Sequence, residues 1–179
     1  MLEIANSTLV IIDVQGKLAQ LVKMKAMLFS NIARLIQGAQ LLKIPIIVTE
    51  QKPDKLGPTV LELTTFLDKI SPIEKESFSG WGKREFSESV LGLKRKQIIV
   101  TGIETHICVY QTAIDLVQND FEVHVIADAV SSRKRLDHNC GLECVRAGGA
   151  LVATTEAVLF EWIKTAADPR FKELVKIVK

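Results

Sequence analysis

The chain has 179 residues, 47% apolar and 25% charged, which suits a globular protein with a buried core rather than a disordered one. Its 23 basic and 21 acidic residues nearly cancel to +2, and no block of five or six like charges occurs, so neither a polyanion-binding tail nor an acidic one is expected. No run of about 18 apolar residues is present, which excludes an apolar membrane-spanning helix.

The N-terminal "MLEIANSTLVIID" carries an acidic residue at position 3, lacks a basic leading segment and runs straight into a β-branched stretch. It reads as a strand, not a secretory leader. Six apolar, β-branched segments follow in chain order, at 8–12, 45–49, 68–73, 97–101, 122–126 and 150–154. The segment at 68–73 carries the weakest pattern. Between them lie helix-like stretches. Residues 26–42 place Leu28, Ile32, Leu35, Ile36, Ala39 and Leu42 at helical spacing, and 105–117 and 137–147 follow the same period. Gly148-Gly149 ends the last crossover helix, and the tail reads as helices at 155–164 and 170–178. Residues 51–59 and 77–87 are expected as loops, long enough to be functional. Alternation of helices with near-continuously apolar strands predicts one α/β domain spanning residues 1–179, with a parallel sheet covered on both faces and right-handed crossovers.

Ligands of such sheets bind beyond the carboxyl ends of the strands. The polar residues there are Asp13 and Gln15, Glu50 and Gln51, Glu74 to Ser79, Glu104 to Cys108, and Asp128. The glycine-rich signatures of dinucleotide sites, nucleotide-phosphate loops and serine hydrolases are all missing. His106, His124 and His138 fall on different elements, and no His/Cys/Asp group has metal-ligand spacing. Three cysteines, an odd number, argue against a disulfide framework and for a cytoplasmic protein with free thiols.

Asp13 directly follows the apolar run TLVII, where a carboxylate either caps a turn or serves chemistry. Thr105 is expected to cap the helix after the fourth strand, placing Cys108 in its first turn, where the dipole favours a thiolate. The alternative for Cys108 is simple packing. Cys140 and Cys144, four apart on one helix, read as small core fillers. Lys75 alone would be a solvated lysine. Asp13, Lys75 and Cys108 stand out because each follows the end of a different strand.

The segments "LVIIDVQ", "VTEQKPDKLGPTV", "IEKESFS", "VTGIETHICVYQTAIDL", "VIADAVSSR" and "GALVATTEAVLF" resemble the isochorismatase-like cysteine hydrolases over essentially the whole chain. The fourth and fifth are the specific ones, and the likeness is greatest to isochorismatase domain-containing proteins of undefined substrate. The resemblance implies a three-layer α/β/α fold with sheet order 3-2-1-4-5-6, which would bring Asp13 and Cys108 together. It implies a catalytic triad of Asp13, Lys75 and Cys108, a cis peptide at Ile103–Glu104, an oxyanion hole from the backbone N–H groups of Glu104 and Cys108, and a homo-oligomer. Gln15, Gln51, Phe78, Trp81 and Thr105 are the expected substrate-binding residues. The zinc-binding nicotinamidase branch uses an Asp-x-His arrangement after strand two. Here Glu50-Gln51-Lys52-Pro53-Asp54 has no histidine, so no metal or other cofactor is expected. The isochorismatases proper work without a cysteine nucleophile, so Cys108 points away from vinyl-ether hydrolysis. The expected function is cysteine-dependent hydrolysis of a small amide-type C–N substrate through a thioester, with no nucleic-acid or membrane partner. The alternatives are a non-catalytic scaffold or a redox-sensing thiol protein on the same fold.

Overall fold

The computed structural model describes Met1–Lys179. Six strands form one parallel sheet: β1 (Ser7–Ile12), β2 (Ile46–Gln51), β3 (Ile73–Lys75), β4 (Gln97–Ile103), β5 (Glu122–Ser131) and β6 (Leu151–Ala153). Their spatial order is β3-β2-β1-β4-β5-β6, as the family resemblance implies, with the strand order reversing between the parallel neighbours β1 and β4. The helices are α1 (Gly16–Leu21), α2 (Lys25–Leu41), α3 (Pro53–Leu56), α4 (Leu61–Thr64), α5 (Arg84–Gly92), α6 (Tyr110–Gln118), α7 (Arg135–Ala147), α8 (Thr155–Ile163) and α9 (Phe171–Val178). None is long and apolar enough to cross a membrane.

Alternation along the central strands builds the layers, because successive side chains point to opposite faces. Leu9 and Ile11 of β1 and Ile99 of β4 pack with Ile32, Leu35 and Ile36 of α2 and with Leu159 and Trp162 of α8. Val10, Ile12, Ile98 and Val100 face the other way, onto Phe86 and Val90 of α5, Ala113 and Leu116 of α6 and Val145 of α7. Every residue of β1 and β4 is buried, as expected of a parallel sheet sandwiched by helices.

Several stretches differ from expectation, among them residues 51–59, expected as a loop, which carry the short helix α3 at Pro53–Leu56. The third strand is not 68–73 but Ile73–Lys75, paired as Thr49↔Ile73, Glu50↔Glu74 and Gln51↔Lys75. Pro72 lacks the N–H a ladder needs, so pairing starts only after it. The fifth strand runs on to Ser131: while β4 advances from Val100 to Gly102, β5 advances from Val125 to Val130, a bulge that carries the strand past 126. Within 77–87, a 3₁₀ turn (Gly80–Gly82) leads into α5 at Arg84, a helix anchored by only Phe86 and Val90.

Candidate functional site

Four neighbouring strand ends meet at one point. Asp13 follows β1 with a left-handed φ of 50°, which a short polar residue tolerates, and its N–H donates to the Thr49 carbonyl at 3.2 Å. The residue as a whole is 3% exposed. Oδ1 accepts the Thr49 hydroxyl at 2.7 Å, and Oδ2 accepts the Lys75 Nζ at 2.6 Å.

Lys75 is the last inward residue of β3, in a buried–exposed–buried pattern. Its ammonium faces four oxygens: Asp13 Oδ2, Gln51 Oε1 at 2.8 Å, and the Ser77 and Phe78 carbonyls at 3.1 Å each. Three protons across four acceptors leave no unsatisfied donor. The lysine neutralises Asp13 and ties down the start of the loop carrying Phe78.

Cys108 lies in a π-helical turn (Thr105–Val109) that feeds α6. The Ile103–Glu104 peptide preceding it is cis. The Glu104 N–H donates to no protein acceptor. Cys108 is 8% exposed. Burial, reinforced by the Asp13 carboxylate as a neighbouring anion and acceptor of the thiol proton, pushes the thiol up to about 12, against a smaller opposing pull from Lys75. The expectation of a stabilised thiolate is therefore corrected: desolvation and Asp13 outweigh the lysine and the helix start.

Asp13, Gln51, Phe78, Glu104 and Cys108 line one cavity of about 290 Å³, together with Leu18, Leu56, Ile103, Ile107 and Arg133. Phe78 is 55% exposed at its wall. The Glu104 carboxylate does not stand free. It accepts Arg133 Nε at 3.0 Å, Nη2 at 3.1 Å and the Arg133 N–H at 3.0 Å. Burial works to raise its pKa, but the hydrogen bonds and charge of Arg133 prevail and hold it below the usual value.

Three expected binding residues lie elsewhere. Gln15 is fully buried as a backbone strap: its Oε1 accepts the Gln51 N–H at 2.6 Å and its Nε2 donates to the Gly57 carbonyl at 2.7 Å. Trp81 is turned by the 3₁₀ segment onto Phe121, edge to face at 5.9 Å. Thr105 does not cap the helix through its side chain; its hydroxyl pairs with His138 Nδ1 at 2.9 Å. Cys140 and Cys144 are exposed, because α7 turns Gly141 and Val145 inward instead. Asp128, inside β5, accepts the Thr155 N–H and hydroxyl at the start of α8. His124 pairs with Glu122, and no three His, Cys, Asp or Glu residues converge as metal ligands. Arg133 is the residue the sequence reading missed. Its signal was a basic triplet, Arg133-Lys134-Arg135, that resembles any solvated turn.

Chemically, the arrangement sets a thiol beside a carboxylate whose charge is balanced by a buried ammonium, under an unused backbone N–H. The isochorismatase domain model matches residues 7–157. Isochorismatase domain-containing protein 2 of Xenopus laevis is 38% identical over 173 residues, covering 97% of this chain and 83% of that protein. The structure of the MAR1 ribonuclease from Caenorhabditis elegans superposes with a TM-score of 0.93 at 35% identity, covering 99% of this chain and 91% of that one. YcaC from Pseudomonas aeruginosa shares the fold, with a TM-score of 0.92 at 22% identity over 98% of this chain and 90% of that one. With the sheet order, these matches make the chain a member of the isochorismatase-like hydrolase family.

Proposed function

We propose that the protein is a cysteine-dependent hydrolase of small amide-type substrates, with Asp13, Lys75 and Cys108 as its catalytic triad. The observation that carries this reading is the position of Asp13, bonded to Lys75 and lining one cavity with Cys108. Asp13 takes the thiol proton as the sulfur attacks the substrate carbonyl, so a standing thiolate is not required. The new C–S bond forms as the carbonyl π pair moves to oxygen. That oxyanion is held by the N–H groups of Glu104 and Cys108, one such donor being worth ~3 kcal/mol. Collapse breaks the C–N bond, and the departing amine takes the proton from Asp13. Asp13 then accepts a proton from water attacking the thioester. Collapse of this second adduct breaks the C–S bond, the acid product leaves, and that proton returns to sulfur. Lys75 holds Asp13 in place throughout.

The cavity volume and the apolar walls Leu18, Leu56, Ile107 and Phe78 favour a small substrate. RNA hydrolysis, named for the relative from Caenorhabditis elegans, is the second reading. It fits less well, because the cavity is small and walled mostly by apolar side chains, and the net charge is only +2. A redox-sensing role is weakened by a thiol whose pKa is pushed up to about 12 by burial and the neighbouring Asp13. A scaffold role is weakened by the presence of all three polar partners. Exposed thiols at Cys140 and Cys144 suit a reducing cytoplasm. Exposed Leu21, Met24, Leu61 and Leu136 suit a homo-oligomer, which light scattering would test.

The deciding experiment incubates the protein with a panel of small amides and N-carbamoyl compounds. It reads ammonia release together with the intact mass of the protein. Turnover with a transient acyl adduct on Cys108, both absent in Cys108→Ser, is the expected result. Turnover that persists in Cys108→Ser refutes the mechanism, and cleavage of RNA oligomers without amide turnover would favour the second reading.

A further inference from the structure

We propose that the cavity between the start of α2 and the first turns of α7 is an effector site for a small amphipathic carboxylate, and that its occupancy is passed through His138 and Thr105 to the turn holding Cys108. The cavity has a volume of about 540 Å³ and shares no lining residue with the thiol cavity. Met24, Met27, Leu28, Ala127 and Val130 form its apolar wall. Lys23, Arg135 and His138 stand on its polar side, and no carboxylate lines it. This volume and lining suit a ligand with a short alkyl chain and one charged end. Two bonds fix the frame. The Lys23 N–H donates to the Ser132 carbonyl at 3.0 Å, and the Ser131 hydroxyl donates to the Lys23 carbonyl at 2.6 Å.

The Lys23 ammonium and the Arg135 guanidinium make no hydrogen bond or ion pair within the protein. Their charge calls for an anion, and a guanidinium engages a carboxylate through two parallel bonds. A second copy of the chain meeting this face about a two-fold axis would set the same cations against each other, which favours a separate ligand. His138 joins the cavity to the catalytic turn. Its Nδ1 lies 2.9 Å from the Thr105 hydroxyl, and its Nε2 has no partner in the protein. Burial lowers its pKa, so at neutral pH the ring is neutral and carries one proton. A carboxylate at Nε2 draws that proton there and leaves Nδ1 to accept from Thr105. Thr105 opens the π-helical turn, three residues before Cys108. α7 packs on that turn without slack: a Cβ on Gly141 would lie 2.9 Å from the Cα and nitrogen of His106. Cys108 is buried, so the approach of a reagent to its sulfur depends on how far the turn opens. A ligand that holds His138 against Thr105 opposes that opening.

The probes are octanoate, kept below its micelle concentration, octanol, which has the chain without the charge, and propionate, which has the charge with little chain. Calorimetry reads binding, light scattering reads the oligomeric state, and peptide mapping reads the rate at which iodoacetamide labels Cys108. Labelling needs no turnover, so the outcome is independent of the hydrolase reading above. Octanoate is expected to bind at least roughly tenfold more tightly than either control. At about ten times its dissociation constant it should slow Cys108 labelling by roughly threefold or more. Arg135→Gln and Met27→Asp, both at exposed positions that the thiol cavity does not use, should each weaken octanoate binding by roughly tenfold. Thr105→Val should keep the binding and lose the slowing. No saturable binding of octanoate, or equal binding of octanol or propionate, overturns the inference. So does binding that survives both Arg135→Gln and Met27→Asp, which would place octanoate in the thiol cavity. Binding only as an oligomer dissociates would show that a second copy fills the cavity, and overturns it too. Binding without slower labelling, or slowing untouched by Thr105→Val, overturns the link to Cys108.

Discussion

Lys75 Nζ donates to Asp13 Oδ2 across 2.6 Å, with the lysine side chain fully buried and the carboxylate 4% exposed. Two strands that are not neighbours, β3 and β1, are joined by this bond over the end of β2. Removing either charge leaves the other desolvated and unpaired, at a cost of about 3–5 kcal/mol. Lys75→Met is therefore expected to lower the melting temperature by many degrees and abolish hydrolysis. Asp13→Asn/Lys75→Met, which removes both charges, should recover much of the stability and none of the activity. Thermal unfolding and ammonia release on the same preparations check both. A double variant no more stable than Lys75→Met would contradict the ion-pair account.

Cys108 gives a second prediction, opposite to what its place at a helix start implies. With the thiol near 12, only ~1 in 10⁵ molecules holds the thiolate at pH 7. Iodoacetamide at neutral pH should modify the exposed Cys140 and Cys144 first and Cys108 last. Asp13→Asn removes the anion that opposes ionisation, so it should speed alkylation of Cys108 while destroying hydrolysis. The raised value also sets a sign for stability. The protonated thiol contributes fully below its ordinary value of 9.0, and the contribution is lost as pH rises towards 12. Peptide mapping across pH, in both proteins, is the measurement; slower Cys108 labelling in Asp13→Asn would sink the assignment of cause.

A third prediction concerns metals. No three candidate ligands converge, and Glu50, at the end of β2, is engaged by the Thr59 N–H and hydroxyl at 2.6 Å each. Hydrolysis is expected to survive exhaustive chelation unchanged. Loss with EDTA and recovery with zinc would reverse that.

Much of this site was legible because it lies where chain direction alone places it. Asp13, Lys75 and Cys108 each sit at or just beyond the end of a strand, and the sheet order, read from family likeness, gathers those ends. Side-chain direction was not legible. The left-handed turn at Asp13 breaks the two-residue alternation, so Gln15 becomes a strap. A 3₁₀ turn aims Trp81 at Phe121. The rotation of α7 about its axis decides whether Cys140 or Gly141 is inside, and a weakly apolar helix gives little sign of which. Arg133 was hidden because its partner, Glu104, is remote in sequence and meets it only across β4 and β5.

The Glu104–Arg133 pair predicts behaviour in acid. Glu104 titrates below its ordinary 4.5 in the folded protein, so its contribution is present above that value and is lost as pH falls through the lowered one. As pH falls below that ordinary value, the melting temperature of the native protein should fall more steeply than that of Glu104→Gln/Arg133→Gln. Parallel curves for the two proteins would show that the pair is not linked to acid stability.

The last prediction tests how the backbone holds the site together. Gly102 lies in β4 directly opposite Ile12, the residue before Asp13, and two positions before Glu104. Its φ is +116°, a conformation that residues with a side chain rarely adopt. A Cβ there would lie 2.1 Å from the Ile12 carbonyl oxygen and 2.6 Å from its nitrogen, and both are backbone atoms that cannot swing away. Gly102→Ala must therefore separate β1 from β4 where Asp13 and Glu104 leave the sheet. A loss of several kcal/mol is expected, with hydrolysis falling further than stability because the carboxylate, the thiol and the Glu104 N–H all shift. Gly92, at the end of α5, has no atom within 4 Å of its would-be Cβ, so Gly92→Ala is the matched control and should be neutral or slightly stabilising. Urea unfolding and initial rates on the two variants decide the matter. Native-like stability and rate in Gly102→Ala would mean that the strands can part there without disturbing the site.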